Sequence, residues 1–429
     1  MEPESEPEST PSQEVPRPAP AQARAADAPA AEALVLHVAG QELRLFTESR
    51  PYLEAMLADL HAARERIWLE VYIFGDDRAG RAVARVLGEQ AAAGLDVRLL
   101  YDAVGSQTTP SALFDAMQAD GVRVHAYHTV WDALRGLAFF EVMNRRNHRK
   151  LLVVDDRVAY FGGMNIVDPP PVVVSPAADS PAESAATALV GGSRPTENGW
   201  RDVHVRLSGP QAAQVAESFI RSWRRAHKEP IRRRSRAYRQ GVLSSRAAES
   251  IRFFDSGPGW RFSRAARIFP RLFARSRSTI LTSMAYFLPT PRIVRALFKA
   301  RHRGSRVRVV VPGNSDVKLV EWATRHLYGK LLRRGIEVYE RQRRMLHSKV
   351  LVVDEQWSVV GSCNLDARSL RINYEFLAVI RSAQFAAALT AICEDDIRHS
   401  RRITAEDMAG RSRWRRWLDR GAYVLRWWL

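Results

Sequence analysis

Along this chain, short runs of β-branched and other apolar residues alternate with longer stretches of helical periodicity, and the order of the two occurs twice. In the first half, residues 67–73 read as a strand, 79–93 as a helix, 96–101 as a strand and 102–109 as a loop. A helix over 111–119 and a strand over 122–126 follow. In the second half, 280–285 reads as a strand, 292–302 as a helix, 306–311 as a strand, 317–334 as a helix and 336–339 as a strand. Each series leads into a dense apolar run, 151–154 or 350–353, that fits a buried strand. Turns at 155–157 and 354–356 precede return strands over 158–161 and 357–360. The duplication is legible from pattern alone. Strands alternating with helices predict an α/β fold of two pseudo-symmetric halves, each a mixed sheet covered by helices.

Polar residues flank the two apolar runs in the same way. His148, Lys150 and Asp155 surround the first, and His347, Lys349 and Asp354 the second, each set reading H-x-K-x4-D. A Gly-rich tetrapeptide ending in Asn follows at equal distance: Gly162-Gly163-Met164-Asn165 and Gly361-Ser362-Cys363-Asn364. One such match fits the solvated face of a basic strand; two matched sets mark a duplicated site for phosphodiester transfer. On a strand, residues two apart share a face, so each His is expected to project with its Lys. The odd spacing of Asp155 and Asp354 sets them off that face, as braces of the turn. Aligning the halves beyond the Asn residues puts Asp202 opposite Glu375, each in a strand that precedes a helix starting near 210 or 383.

The pattern fails in four places. Residues 1–33 are rich in Pro, Ala and Glu and lack the basic and apolar stretches of a secretory signal, so a disordered tail is expected. Residues 168–198, with Pro-Pro-Pro and Gly-Gly, read as a flexible insertion in the first half (34–230), and 231–249 as a linker to the second half (250–400). Residues 401–429 form a basic, Trp-rich tail. Within it Trp414, Trp417, Leu418, Gly421, Leu425 and Trp428 fall near one face at helical spacing, as in a helix lying on an anionic bilayer. A terminal helix docked on the protein core is the alternative, which four Trp in the last sixteen residues disfavour. No apolar run is long enough to span a membrane.

Composition narrows the partners. The 429 residues carry a net charge of +18, which points to an anionic partner, nucleic acid or an acidic membrane. The only cysteines, Cys363 and Cys393, imply no disulfide framework and fit a reducing compartment.

The chain resembles the phospholipase D superfamily, in which two H-x-K-x4-D motifs build one active site. Residues 361–375 (GSCNLDARSLRINYE), 69–74 (LEVYIF) and 200–207 (WRDVHVRL) are similar to the bacterial cardiolipin synthases, nearest to the B type, over residues 40–400. The resemblance implies catalytic roles for the motif residues His148, Lys150, Asp155, His347, Lys349 and Asp354, with His148 as nucleophile and His347 as acid/base. Near-symmetry of the motifs leaves that last assignment open. It further implies phosphate binding by Asn165 and Asn364, imidazole orientation by Asp202 and Glu375, and chemistry without metal or other cofactor. The function implied is phosphatidyl transfer between two phosphatidylglycerols, giving cardiolipin and glycerol, by an enzyme on the cytoplasmic side of a bacterial cell membrane. Its partners would be anionic phospholipid (phosphatidylglycerol, cardiolipin) and the membrane surface, with no nucleic acid; oligomeric state is open. A lipid hydrolase, a nuclease of the same superfamily and a non-enzymatic lipid-binding protein are the alternatives.

Overall fold

The structure, a computed structural model, describes residues 34–127, 144–168, 199–227, 247–259 and 263–427. The expected N-terminal tail, nearly all of the 168–198 insertion and most of the 231–249 linker lie outside the described residues, which belong to one compact unit.

The first half runs β1 (Leu34–Val38), β2 (Gln41–Phe46), α1 (Ser49–His61), β3 (Arg66–Val71), α2 (Arg78–Ala92), β4 (Asp96–Asp102), α3 (Ser111–Ala119) and β5 (Arg123–Tyr127). It continues with β6 (Leu151–Val154), β7 (Val158–Gly162), β8 (Trp200–Arg201), β9 (His204–Ser208) and α4 (Ala212–Ala226). The second half runs β10 (Ser250–Ser256), α5 (Ala265–Arg275), β11 (Thr279–Met284), α6 (Pro291–His302), β12 (Arg306–Pro312), α7 (Lys318–Leu332) and β13 (Glu337–Arg341). Then come β14 (Met345–Leu346), β15 (Lys349–Val353), β16 (Trp357–Gly361), α8 (Ala367–Arg371), β17 (Glu375–Arg381), α9 (Ala383–Arg398), β18 (Ser400–Arg402), α10 (Ala405–Ala409) and α11 (Arg413–Val424).

Each half carries an eight-stranded mixed sheet, ordered β1-β2-β9-β7-β6-β3-β4-β5 and β10-β17-β16-β15-β11-β12-β13-β18. The strand triplets β3-β4-β5 and β11-β12-β13 are parallel, as helical crossovers require, and the remaining pairs within the two sheets are antiparallel. Both motif strands, β6 and β15, sit at the centre beside β3 and β11. The turns after them hold Asp155, Asp156, Asp354 and Glu355 at φ of 52–54°, the left-handed pair of a tight hairpin.

Several elements add to those the pattern predicts. The β1–β2 hairpin turns at Ala39-Gly40, both at positive φ. Helix α5 forms in spite of Pro270 in its interior, because Ile268, Phe269, Leu272 and Phe273 bury one face in the second half's core.

Three apolar clusters hold the molecule together, one in each half and one shared between them. At the shared join, Phe161 meets Phe253 with ring centroids 5.4 Å apart, and Phe253 stacks on Phe376 at 5.6 Å. Each such buried ring contributes about 2–3 kcal/mol, so the halves are joined by apolar burial as well as by the site.

The C-terminal helix docks one side on the protein and leaves most of the Trp-rich face exposed. Asp419 and Ala422 are buried, the Tyr423 ring stacks on His326 of α7 at 4.7 Å, and Arg411 pairs with Asp419 at 2.8 Å. The opposite side leaves Trp414 56% and Trp417 71% exposed, with Leu418 and Leu425 also in solvent. Trp428 lies outside the described residues.

Candidate active site

The His-x-Lys segments depart from the expected geometry. Neither histidine lies in a strand of its own sheet; His148 and Lys150 precede β6, and Lys349 is the first residue of β15. Each segment is extended but pairs with the opposite half. Strand β14, just before His347, pairs in parallel with β8 of the first half, and Asn147 bridges Tyr374 of the second. Backbone hydrogen bonds complete the exchange: His347 N–H donates to Arg201 O at 2.7 Å and His148 N–H to Tyr374 O at 3.0 Å.

This crossing delivers each carboxylate to the other half's histidine. Asp202 Oδ2 lies 2.6 Å from His347 Nδ1, and Glu375 Oε2 lies 3.2 Å from His148 Nδ1. The His148 Nδ1 is also 3.0 Å from the Ser362 carbonyl. With Nδ1–H donating, each ring turns Nε2 to the site, as a nucleophile or base when neutral and as a proton donor when protonated. The two supports differ in detail. A Cβ at Gly163 would lie 2.1 Å from Asp202 Oδ1, so only glycine admits that carboxylate. At the equivalent position Ser362 donates its hydroxyl to Glu375, which is one methylene longer.

All these groups are buried. Burial, with Lys150 nearby, pushes His148 down to about 4 against the pull of Glu375. Burial and Lys349 likewise lower His347, opposed by Asp202. Burial pushes the Asp202 carboxyl up, but Lys349 and His347 more than offset this and hold it below the usual carboxylate range. Lys150 is pushed down to about 7 by burial and by Lys349, and Lys349 is lowered by burial. Two ammonium groups that repel across one buried site favour a bound anion. Each lysine donates to the carbonyl of its own motif histidine, Lys150 at 2.8 Å.

Asn165 and Asn364 are both buried, and they differ. Asn165 Oδ1 accepts from Ile73 N–H at 3.2 Å, whereas Asn364 Oδ1 has no partner among the described residues. Asp155 and Asp354 lie at the far ends of β6 and β15 from the histidines. Asp155 accepts from the N–H groups of Arg64, Glu65 and Arg66 at 2.8–3.0 Å, and Asp354 from those of Arg277, Ser278 and Thr279 at 2.8–3.0 Å. Burial raises both carboxyls, and these donors outweigh it to hold them low.

Sequence reasoning did not single out several neighbours. The Tyr72 ring lies 5.0 Å from His148 and 5.1 Å from Lys150 Nζ, and Trp200 lies 4.7 Å from His347. Asp102 accepts from Asn147 N–H at 2.8 Å, while the Asn147 amide donates to Glu70 at 2.8 Å, anchoring the His148 segment. Asp366 caps α8 and is raised by burial to about 7. Cys363, which the sequence did single out, is buried and its thiol pushed up by burial. Among the described residues, no three His, Cys, Asp or Glu side chains converge to hold a metal ion.

Residues 56–169 and 270–397 match the family model described as cardiolipin synthase, PLD-like domain. Cardiolipin synthase of Listeria monocytogenes serotype 4b (strain CLIP80459) is 31% identical over 376 residues, 87% of this chain and 72% of the relative. Cardiolipin synthase A of Pseudomonas putida (strain GB-1) is 31% identical over 372 residues, 86% of this chain and 71% of the relative. Phosphatidylserine synthase of Haemophilus influenzae Rd KW20 has the same fold, with a TM-score of 0.67 at 14% identity, over 92% of this chain and 97% of that one. The fold and the doubled motif define a phospholipase D-like phosphatidyltransferase. This chain belongs to the cardiolipin synthase, PLD-like domain family.

Proposed function

We propose that the chain transfers the phosphatidyl group of one phosphatidylglycerol to another, giving cardiolipin and glycerol. The observation that carries this reading is the reciprocal pairing of His148 with Glu375 and His347 with Asp202 across the two halves, which makes one site from two motifs. His148 Nε2 attacks phosphorus, and the P–O bond to the departing glycerol breaks. His347 Nε2–H gives that oxygen its proton. The terminal hydroxyl of a second phosphatidylglycerol then returns a proton to His347 and attacks the phosphohistidine, releasing His148. Lys150, Lys349 and the Asn364 side-chain amide N–H stabilise the charge on the non-bridging oxygens; Asn165 supports from the other half. The tighter contact, Asp202 to His347, suits the residue that becomes an imidazolium during turnover, which favours His347 as acid/base and His148 as nucleophile. The turn aspartates, Asp155 and Asp354, act as braces.

The lipid is reached from the cytoplasmic face of the membrane. No helix among the described residues is long and apolar enough to cross a bilayer. The outward side of α11 combines exposed Trp414 and Trp417 with Arg413, Arg415 and Arg416. Trp427, just beyond α11, stands 5.1 Å from the Arg371 guanidinium of α8, the helix that follows Asn364. An interfacial surface there lies beside a wall of the site.

Incubating the purified chain with phosphatidylglycerol bilayers and analysing lipids by mass spectrometry tests this function. Cardiolipin and free glycerol should form in equal amounts; phosphatidic acid without cardiolipin would make the chain a hydrolase instead.

A further inference from the structure

A second polar cavity, of about 580 Å³, opens at the junction of the halves. Its walls come from Glu48 and Arg201 of the first half, and from the 341–344 loop, the end of α9 and the start of β18 in the second. Six arginines line it (Arg201, Arg341, Arg343, Arg344, Arg398 and Arg401) with two carboxylates, Glu48 and Asp395, while Asp396, Glu340 and Asp407 pair with Arg201, Arg341 and Arg401 from outside the lining.

The cavity is distinct from the histidine site. In the extended 200–202 segment, Trp200 and Asp202 both face His347, whereas Arg201 turns the other way to meet Glu48, Asp395 and Asp396 at 3.2–3.3 Å. Arg341 shares Asp396 at 3.0 Å, and Arg344 is held by Glu48 at 2.7 Å. Those carboxylates fix the inner guanidinium groups as a rigid wall. At the rim, Arg398 pairs with Asp395 at 3.0 Å and Arg401 with Asp407 at 2.9 Å, both largely exposed, whereas Arg343 makes no ion pair among the described residues. Arg343 also sits at φ 63°, a left-handed conformation unfavourable to a side-chain-bearing residue.

A wall of guanidinium groups fixed by carboxylates, with Arg343 lining the same cavity and unpaired among the described residues, defines a receptor for a compact polyanion. We propose that this cavity binds a phosphate group, of a phospholipid headgroup or of a free phosphate, at a site separate from the reacting one. The site adjoins the chemistry through the backbone. Arg201 O accepts the His347 N–H at 2.7 Å, and Arg344 lies three residues before His347.

The test counts phosphates. Isothermal titration of the full chain with inorganic phosphate should give two sites, and the double variant Arg343→Glu/Arg398→Glu one. Both positions lie on the surface, so the variant should keep its melting temperature and its basal turnover of a short-chain phosphatidylglycerol in phosphate-free buffer. Arg343→Lys/Arg398→Lys should keep both sites. Equal phosphate counts in wild type and the charge-reversed variant would overturn the proposal. Phosphatidylglycerol vesicles then identify the source, with Arg157→Glu/Arg333→Glu as a charge-matched control. A larger loss of vesicle binding at the cavity than in the control assigns the lipid headgroup; equal losses, with one phosphate site gone, assign free phosphate.

Discussion

Asp202 lies in the first half and His347 in the second, and their side chains meet at 2.6 Å in a buried site. Neither half can therefore assemble its own histidine pair. Asp202→Asn keeps the shape but removes the charge that holds the imidazolium and its tautomer. The variant should lose about 10²–10⁴ in kcat with KM little changed. Glu375→Gln should cost less, because the Ser362 carbonyl also holds His148 Nδ1. Equal, small losses in both variants would argue against orientation by these carboxylates.

His148→Ala and His347→Ala should each abolish turnover, and the double variant should be no worse than either single one. Additive losses measured on a short-chain substrate would separate the two motifs into independent sites.

The expected halves, and the central strands from β3 to β7 and from β11 to β16, were legible because strand and helix periods differ and because the order repeats. The duplication also located Asp202 and Glu375. What it could not give was the crossing: Asp202 serves His347 and not the histidine of its own half. Sequence spacing encodes faces of a strand, whereas β8–β14 pairing joins segments with no local signal for each other. For the same reason the His-x-Lys segments read as strand faces although their partners are in the opposite half. Elements such as α5 escaped because burial of Phe269 and Phe273 overrides the local signal of Pro270.

Asp155 gathers three backbone N–H groups at the start of β3 and stands a full strand away from His148. Asp155→Ala should lower stability by about 1–3 kcal/mol, read from the denaturant midpoint, while activity below the transition stays near wild type. A catalytic collapse with unchanged stability would show that this aspartate acts in the reaction itself.

Burial and Lys349 push Lys150 down to about 7, so its cationic form in the free enzyme is present below that pH and lost above it. A bound phosphodiester pulls the proton back. Accordingly kcat/KM on a soluble short-chain substrate should fall above pH 7, by about tenfold per unit once well past it, while kcat holds up better. An alkaline limb appearing first in kcat would place the titration on another group.

Trp414 and Trp417 are exposed on a helix whose other face is docked. Replacing both by Ser should leave folding and soluble-substrate turnover intact. Binding to anionic vesicles should weaken about tenfold per ring, from ~1.5 kcal/mol of apolar burial each. Unchanged cosedimentation with vesicles would exclude this face as the membrane contact.

The central claim is a single site in which His148 carries the phosphatidyl group and His347 moves the protons. Rapid quenching of the enzyme during turnover of phosphatidylglycerol, followed by peptide mass spectrometry under alkaline conditions that preserve phosphohistidine, tests it most directly. The account predicts a phosphatidyl adduct on His148, and its accumulation in the Asp202→Asn variant if breakdown is slowed more than formation. An adduct on His347 with His148 unmodified, or cardiolipin forming with no covalent adduct at any quench time, would contradict it.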